Sequence, residues 1–251
     1  MNERQAVATF SWDDGHPLDL RIAEIFNTYG LSCTFYVPRH NSENLPTLSF
    51  SGLRSLSQSN FDIHSHTLNH VYLSGLPVNK QAIEIQSGKK YVEDVTGKKN
   101  HIFCYPGGKH TQKTIALVKE AGFEFARTID MGFTYAYSQN NFLMPTTALI
   151  APLTCFQILK HSLKRLGIRR GLDAYKLNRA ILSKTLSHGD MSKTSEIVCY
   201  HFWGHSWEIE KHNLWEHLEH LIQSLIASNI NIISNKVFYE TLSYEPRLRN
   251  S

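Results

Sequence analysis

The stretch Ala6-Val7-Ala8-Thr9-Phe10-Ser11-Trp12-Asp13-Asp14-Gly15-His16 is followed by Leu18, Ile22, Ile25, Phe26 and Tyr29 on one helical face, and then by Gly30 and the run Ser32–Val37. Ala6–Phe10 reads as a buried strand, the periodic positions as a helix stopped at Gly30, and Ser32–Val37 as a second strand. The unit is therefore strand, carboxylate-bearing turn, helix and strand. Outward from it the alternation continues. A helical signal at Gly52–Ser57 precedes a strand at Phe61–His64, a long polar helix from Val78 to Val95 and a strand at His101–Tyr105. Thr111–Ala121 is a helix ended by Gly122, Phe123–Thr128 is a strand, and a short strand falls near Phe142–Ala148. Later, Glu196–His201 is a strong strand, Leu214, Leu218, Leu221, Ile222, Leu225 and Ile226 mark an amphipathic helix, and Asn231–Ile233 is a last strand.

Some seven or eight such units predict an α/β protein whose fold is an irregular (β/α)7–8 TIM-like barrel, occupying residues 1–251 as one domain. No Gly-rich phosphate fingerprint follows the first strand, which weakens an open nucleotide-binding sheet. Residues 150–195 exceed a plain crossover. They read as a helical, basic insertion carrying Lys160, Lys164, Arg165, Arg169, Arg170, Lys176, Arg179 and Lys184. A solvated helical face is the ordinary reading of such a run, at about two to one.

At 41% hydrophobic residues the chain can fill one large core, and a net charge of +4 suits an anionic substrate but not a nucleic-acid footprint. The chain runs from Met1 into the apolar segment at Ala6 with no basic leader, no run reaches the length of a membrane span, and the cysteines Cys33, Cys104, Cys155 and Cys199 form no Cys-x-x-Cys pair. A reduced, cytoplasmic protein with no integral membrane segment is the expectation. Oligomeric state is not legible.

In such a barrel the active site is assembled beyond the carboxyl ends of the strands. The chemistry-bearing residues fall there: Asp13, Asp14 and His16 after strand one, His64, His66 and His70 after strand three, Tyr105-Pro106-Gly107-Gly108 after strand four, Arg127 after strand five, and His201 and His205 after the late strand. Adjacent Asp13 and Asp14 must point differently, so one can bind metal while the other takes a proton. Asp-Asp-Gly is equally good turn chemistry. His66 and His70, four apart, share one face of a helical turn. With 14 histidines in 251 residues, about 0.7 such pairs arise by chance, so the pair gains force only beside the carboxylates.

Thr9-Phe10-Ser11-Trp12-Asp13-Asp14-Gly15, His66-Thr67-Leu68-Asn69-His70 and Phe103-Cys104-Tyr105-Pro106-Gly107-Gly108 resemble three ordered motifs of the polysaccharide deacetylases, the NodB-homology group of carbohydrate esterase family 4. The resemblance implies Asp13 as general base, Asp14, His66 and His70 around a divalent metal, and an oxyanion-binding loop at Tyr105, Pro106 and Gly107. Two imidazoles and a carboxylate leave an open coordination position, with zinc the natural ion and manganese, iron, cobalt or nickel compatible. The family also uses a late histidine as acid, and both His205, within Trp203-Gly204-His205-Ser206-Trp207, and His201 are candidates. One departure stands out. The family's third motif commonly begins with an arginine that pairs with the base, and Cys104 occupies that place; Arg127 either approaches Asp13 instead or sits at the core edge. Trp203 and Trp207 fit a sugar-stacking wall or ordinary packing. His212, His217 and His220, on or beside the late helix, are expected to face solvent.

The resemblance thus implies hydrolysis of an N-acyl group, expected to be acetyl, on an amino sugar. The basic insertion and the missing leader suggest a nucleotide- or lipid-linked saccharide in surface polysaccharide or O-antigen assembly. A catalytically silent saccharide-binding relative is the alternative, and nucleic-acid binding through Lys160–Lys184 has little else behind it.

Overall fold

The computed structural model describes residues 6–131, 134–135, 140–152 and 198–241. Most of the basic insertion expected at 150–195, and Cys155, lie outside the described residues.

The chain begins with β1 (Val7–Trp12), α1 (Asp19–Thr28), β2 (Thr34–Val37), α2 (Phe50–Gln58), β3 (Asp62–Ser65), α3 (Val78–Thr96), β4 (Ile102–Cys104), α4 (Gln112–Glu120) and β5 (Phe125–Met131). Next come β6 (Thr134–Tyr135), β7 (Met144–Thr146) and β8 (Ala148–Leu149), then β9 (Val198–Gly204), α5 (Ser206–Lys211), α6 (Trp215–Ala227) and β10 (Asn231–Ile233). Residues 235–241 are helical. Sheet order runs β9-β1-β2-β3-β4-β5-β7, with every neighbouring pair parallel. The segment holding β7 and β8 pairs first with β5 and then with β9, so the sheet comes nearly full circle into a TIM-like barrel. Strand β10 shares the β2-facing edge of β1, pairing with its lower half while β2 takes the upper.

Strand alternation separates two environments. Ala8, Phe10 and Trp12 of β1 and Tyr200 and Phe202 of β9 pack outward with Ile22 and Phe26 of α1 and Leu218, Leu221, Ile222 and Leu225 of α6. The apolar stripe read from the sequence of α6 therefore covers the sheet, except for Ile226, which is exposed. The alternate positions turn toward the barrel axis, where Tyr36, Ile102, Cys104, Phe125, Met144 and Cys199 meet Phe238 and Tyr239 of the final helical segment, which plugs the lower end. Much of the interior is polar yet fully enclosed. Ser11 Oγ lies 2.8 Å from His201 Nε2, and Asn235 Nδ2 donates to Tyr36 Oη at 2.9 Å. Such pairing offsets the cost of burying these groups.

Local signals bound the helices, and Gly30 does so where the sequence suggested. Gly30 (φ +66) follows α1, Gly97 (φ +67) caps α3 with its N–H on Glu93 O, and Thr111 and Thr114 form a capping box at α4. The late strand starts at Val198 among described residues and runs on to Gly204, beyond the expected end at His201. No helix of the described residues is long and apolar enough to cross a membrane. His217, expected to face solvent, is buried on α6, whereas His212 is exposed.

Candidate active site

Asp13 continues the β1 ladder by one residue, its N–H donating to Gly204 O at 3.0 Å, so its side chain follows Thr9 and Ser11 into the barrel mouth. The chain then turns through left-handed conformations at Asp14 (φ +76) and Gly15 (φ +59), which aims the Asp14 carboxylate at the same opening from the rim. Asp is one of the few residues that tolerate this region, and Gly15 is pressed on Val37, 3.0 Å from where a Cβ would stand.

His66 extends β3 in the same way, its N–H on Val37 O at 3.2 Å. The expected helical turn is absent. His66 and His70 instead bracket a tight loop with left-handed Thr67 (φ +63) and His70 (φ +52), which brings the two rings to 4.9 Å. Non-local partners impose this shape. Glu84 of α3 accepts from Leu68 N at 3.2 Å, Asn69 N at 3.0 Å and Asn69 Nδ2 at 2.7 Å. One turn on, Gly88 lets α3 press against the loop, since a Cβ there would stand 2.6 Å from the Thr67 carbonyl carbon. Neither residue was singled out from sequence. Glu84→Ala should therefore weaken metal affinity by roughly 10–100-fold, as removal of a ligand-orienting partner typically does, and isothermal titration of the metal-free protein with zinc reads the change.

The buried atoms that meet have the chemistry of a cation site. Cys104 O can only accept, so at 2.9 Å His66 Nδ1 donates to it and Nε2 keeps its lone pair. That Nε2 stands 4.0 Å from both Asp13 Oδ2 and Asp14 Oδ1, and His70 Nε2 lies 3.0 Å from Asp14 Oδ1. Asp14 Oδ1 and His70 Nδ1 are nonetheless buried without a well-aligned hydrogen bond. Burial, outweighing the nearby carboxylates, pushes the His66 pKa down to about 4, so it is neutral near pH 7. Burial opposes ionisation of Asp14, but His70, His205 and His66 hold its carboxyl well below the usual range. A neutral imidazole and an ionised carboxylate are the states a divalent ion requires, and Asp14, His66 and His70 have ligand atoms within 4.8 Å of one another. Asp13, His66 and Cys104 form a second such group among the described residues.

Asp13 is held from beneath. Arg127 Nη2 donates to its Oδ1, the guanidinium lying 5.0 Å from the ring centroids of both Tyr36 and Trp203. Arg127 pairs in register with Cys104, whose Sγ lies 3.8 Å from Asp13 Oδ2. The cation missing at position 104 thus arrives at the same height from the adjacent strand.

Of the two late histidines, the structure brings His205 to the carboxylates. Its Nε2 is 3.9 Å from Asp14 Oδ2, and its Nδ1 donates to Glu208 Oε2 at 2.6 Å. Burial opposes charge on His205, but the Glu208 hydrogen bond and the Asp14 and Asp13 carboxylates outweigh it and push the pKa up to about 9. His201 sits four residues deeper, level with Thr9 and hydrogen-bonded to Ser11, away from the rim on which its sequence position made it a candidate acid. Trp207 Nε1 donates to Asp14 Oδ2 at 3.0 Å, while Trp203 is buried against Arg127. Tyr105 turns its ring outward to Phe103 and His110, so what it brings to the mouth is backbone; Pro106 to Gly108 form a 3-10 turn with Gly107 at φ +57. His64 lies inside the barrel with Nδ1 2.9 Å from the Asn100 amide, and His16 is half-buried with Nδ1 accepting from Leu18 N.

Acids and imidazoles are thus gathered on the C-terminal rim of a nearly closed α/β barrel, the face on which such barrels carry their sites. The sequence profile of the polysaccharide deacetylases matches residues 1–126, and the chain belongs to that family. It is 24% identical over 132 residues to YxkH of Bacillus subtilis, assigned to the polysaccharide deacetylases, covering 52% of this chain and 47% of that one. It is 25% identical over 123 residues to the peptidoglycan-N-acetylglucosamine deacetylase of Bacillus cereus, covering 49% and 55%. The match therefore spans about half the length of each curated relative. The chitin deacetylase of Colletotrichum lindemuthianum shares the fold, with a TM-score of 0.61 at 12% identity over 92% of this chain and 86% of that one.

Proposed function

We propose that the protein removes an N-acyl group, acetyl above all, from an amino sugar by metal-dependent hydrolysis. The observation that carries this is the meeting of Asp14 Oδ1, His66 Nε2 and His70 Nε2 beside a separately held Asp13. Asp14, His66 and His70 would hold a divalent ion, zinc being the natural choice and manganese, iron, cobalt or nickel compatible, and such an ion would supply Lewis acidity toward the acyl carbonyl and toward water. Asp13, fixed by Arg127, takes a proton from the attacking water as the water oxygen bonds to the acyl carbon. The oxyanion that forms accepts the Gly107 N–H. His205, protonated near neutral pH, gives its proton to the nitrogen as the C–N bond breaks, so a carboxylate and a free amine leave. The absence of the motif-three arginine is what favours a silent relative, and Arg127 weighs against that reading, since it gives Asp13 a cationic partner.

A raised pKa on the acid keeps His205 protonated through neutral pH, and activity falls as pH rises through about 9. Glu208→Gln removes the strongest support for the protonated form, so the alkaline limb of kcat/KM should move to lower pH; an unmoved limb counts against His205 as the acid. The substrate is proposed to be a nucleotide- or lipid-linked saccharide of surface polysaccharide or O-antigen assembly, handled in the cytoplasm. The free, buried thiols of Cys33, Cys104 and Cys199 suit a reducing compartment. Incubating the protein with acetylated amino sugars and zinc, with and without chelator, tests the reading. Amine and acetate released in equal amounts, and lost on chelation, are expected; no release with any of these ions refutes it.

A further inference from the structure

The reaction above uses the carboxylates, the imidazoles and the Gly107 loop but leaves Trp207 without a part. Its Nε1–H is the one well-aligned donor to the Asp14 carboxylate among the described residues. The two oxygens of that carboxylate therefore have different company. Oδ2 accepts from Trp207 at 3.0 Å, with His205 Nε2 beyond hydrogen-bond reach at 3.9 Å. Oδ1 has no well-aligned donor and faces His70 Nε2 at 3.0 Å and His66 Nε2 at 4.0 Å. An aspartate carboxylate turns easily about its last torsion, which is broad and nearly two-fold. The left-handed backbone at Asp14 sets where the carboxylate stands but not which oxygen faces the imidazoles. The hydrogen bond from Trp207 does.

The indole is itself held. Trp207 is the second residue of α5, and the first, Ser206, is anchored by its Oγ donating to Asp19 Oδ1 at 2.6 Å, both side chains being fully enclosed. The His205 ring lies against the indole, centroids 5.4 Å apart and tilted by 30°, and Glu208 accepts from His205 Nδ1 at 2.6 Å. Contacts made by both chain neighbours of Trp207 thus put its N–H in place before any ion arrives.

We infer that Trp207 is a positioning residue for the cation site: by keeping Asp14 Oδ2 on its N–H it leaves Oδ1 alone to ligate, and so biases the site toward a small ion with few ligands. This rests on the cation site proposed above and gives a reason for its selectivity. A carboxylate free to bring both oxygens suits larger, oxygen-preferring ions such as manganese. One tied by Oδ2 contributes a single bond and suits four-coordinate zinc.

Zinc and manganese are titrated separately into the metal-free, full-length parent and into Trp207→Phe and Trp207→His. Phenylalanine keeps a ring against His205 and removes the donor, whereas histidine can place its Nε2–H where the indole N–H stands. Zinc affinity should fall about tenfold in Trp207→Phe while manganese affinity changes little, so the zinc-over-manganese ratio falls by about the same factor. Trp207→His should recover most of it. The visible bands of the cobalt form supply an independent signature, intense for four-coordinate cobalt in the parent and weaker in Trp207→Phe as the second oxygen joins. An unchanged ratio and spectrum in Trp207→Phe overturn the inference. So does an equal loss for both ions that Trp207→His fails to recover, which makes the indole a packing group. Metal binding by the parent without amine release sinks the deacylase reading and leaves the role of Trp207 standing; a parent that binds neither ion sinks both.

Discussion

Asp13→Asn is expected to lower turnover by roughly 10²–10⁴-fold, the usual worth of a positioned general base, while the protein keeps its metal. The amide matches the carboxylate in size, and its oxygen still accepts the Arg127 Nη2–H that now holds Oδ1. What it loses is the capacity to take a proton from water. Asp14, His66 and His70 are untouched, so elemental analysis should find the same metal content as in the parent. Full amine release by the variant contradicts the assignment of the base. Loss of metal along with activity places Asp13 among the ligands, which the second cluster of Asp13, His66 and Cys104 makes a pointed comparison.

His66→Ala tests a different link. It removes the Nε2 that stands 4.0 Å from both carboxylates, and it leaves the Cys104 carbonyl without its donor. Losing one of three protein ligands should release the ion on dialysis, and turnover should fall with it below detection. The buried cavity also costs about 1–3 kcal/mol of stability, because a carbonyl loses its partner. Thermal unfolding with and without added zinc separates the two effects: the parent should gain stability from zinc and the variant should not.

Much of this barrel is legible in the sequence because its outer strand faces and its helices are amphipathic toward each other. Ala8, Phe10 and Trp12 alternate with Thr9 and Ser11, and that period identifies β1 at once. The same pattern misleads about direction, since alternating polar residues normally face water and here face the barrel axis. Arg127 and His201 share that ambiguity: spacing along a strand does not tell an enclosed polar interior from a surface. Rim residues were easier, because strand ends collect them. Four-residue spacing, the local signal, predicts a helical turn from His66 to His70, whereas the left-handed residues of the loop are held by Glu84 and Gly88, distant in sequence. Tyr105 was open to better reading. Cys104 points inward, so its successor on the strand must point out. Glu208, three residues after His205 in the first turn of α5, was equally within reach.

In the proposed site one cation is shared by Asp14, His66 and His70, with Asp13 beside it and not bound. A crystal grown with zinc and measured across the zinc absorption edge tests this most directly. A single anomalous peak is expected about 2.0–2.2 Å from Asp14 Oδ1, His66 Nε2 and His70 Nε2. A peak centred instead on Asp13 and Cys104, or none on the rim at all, contradicts it.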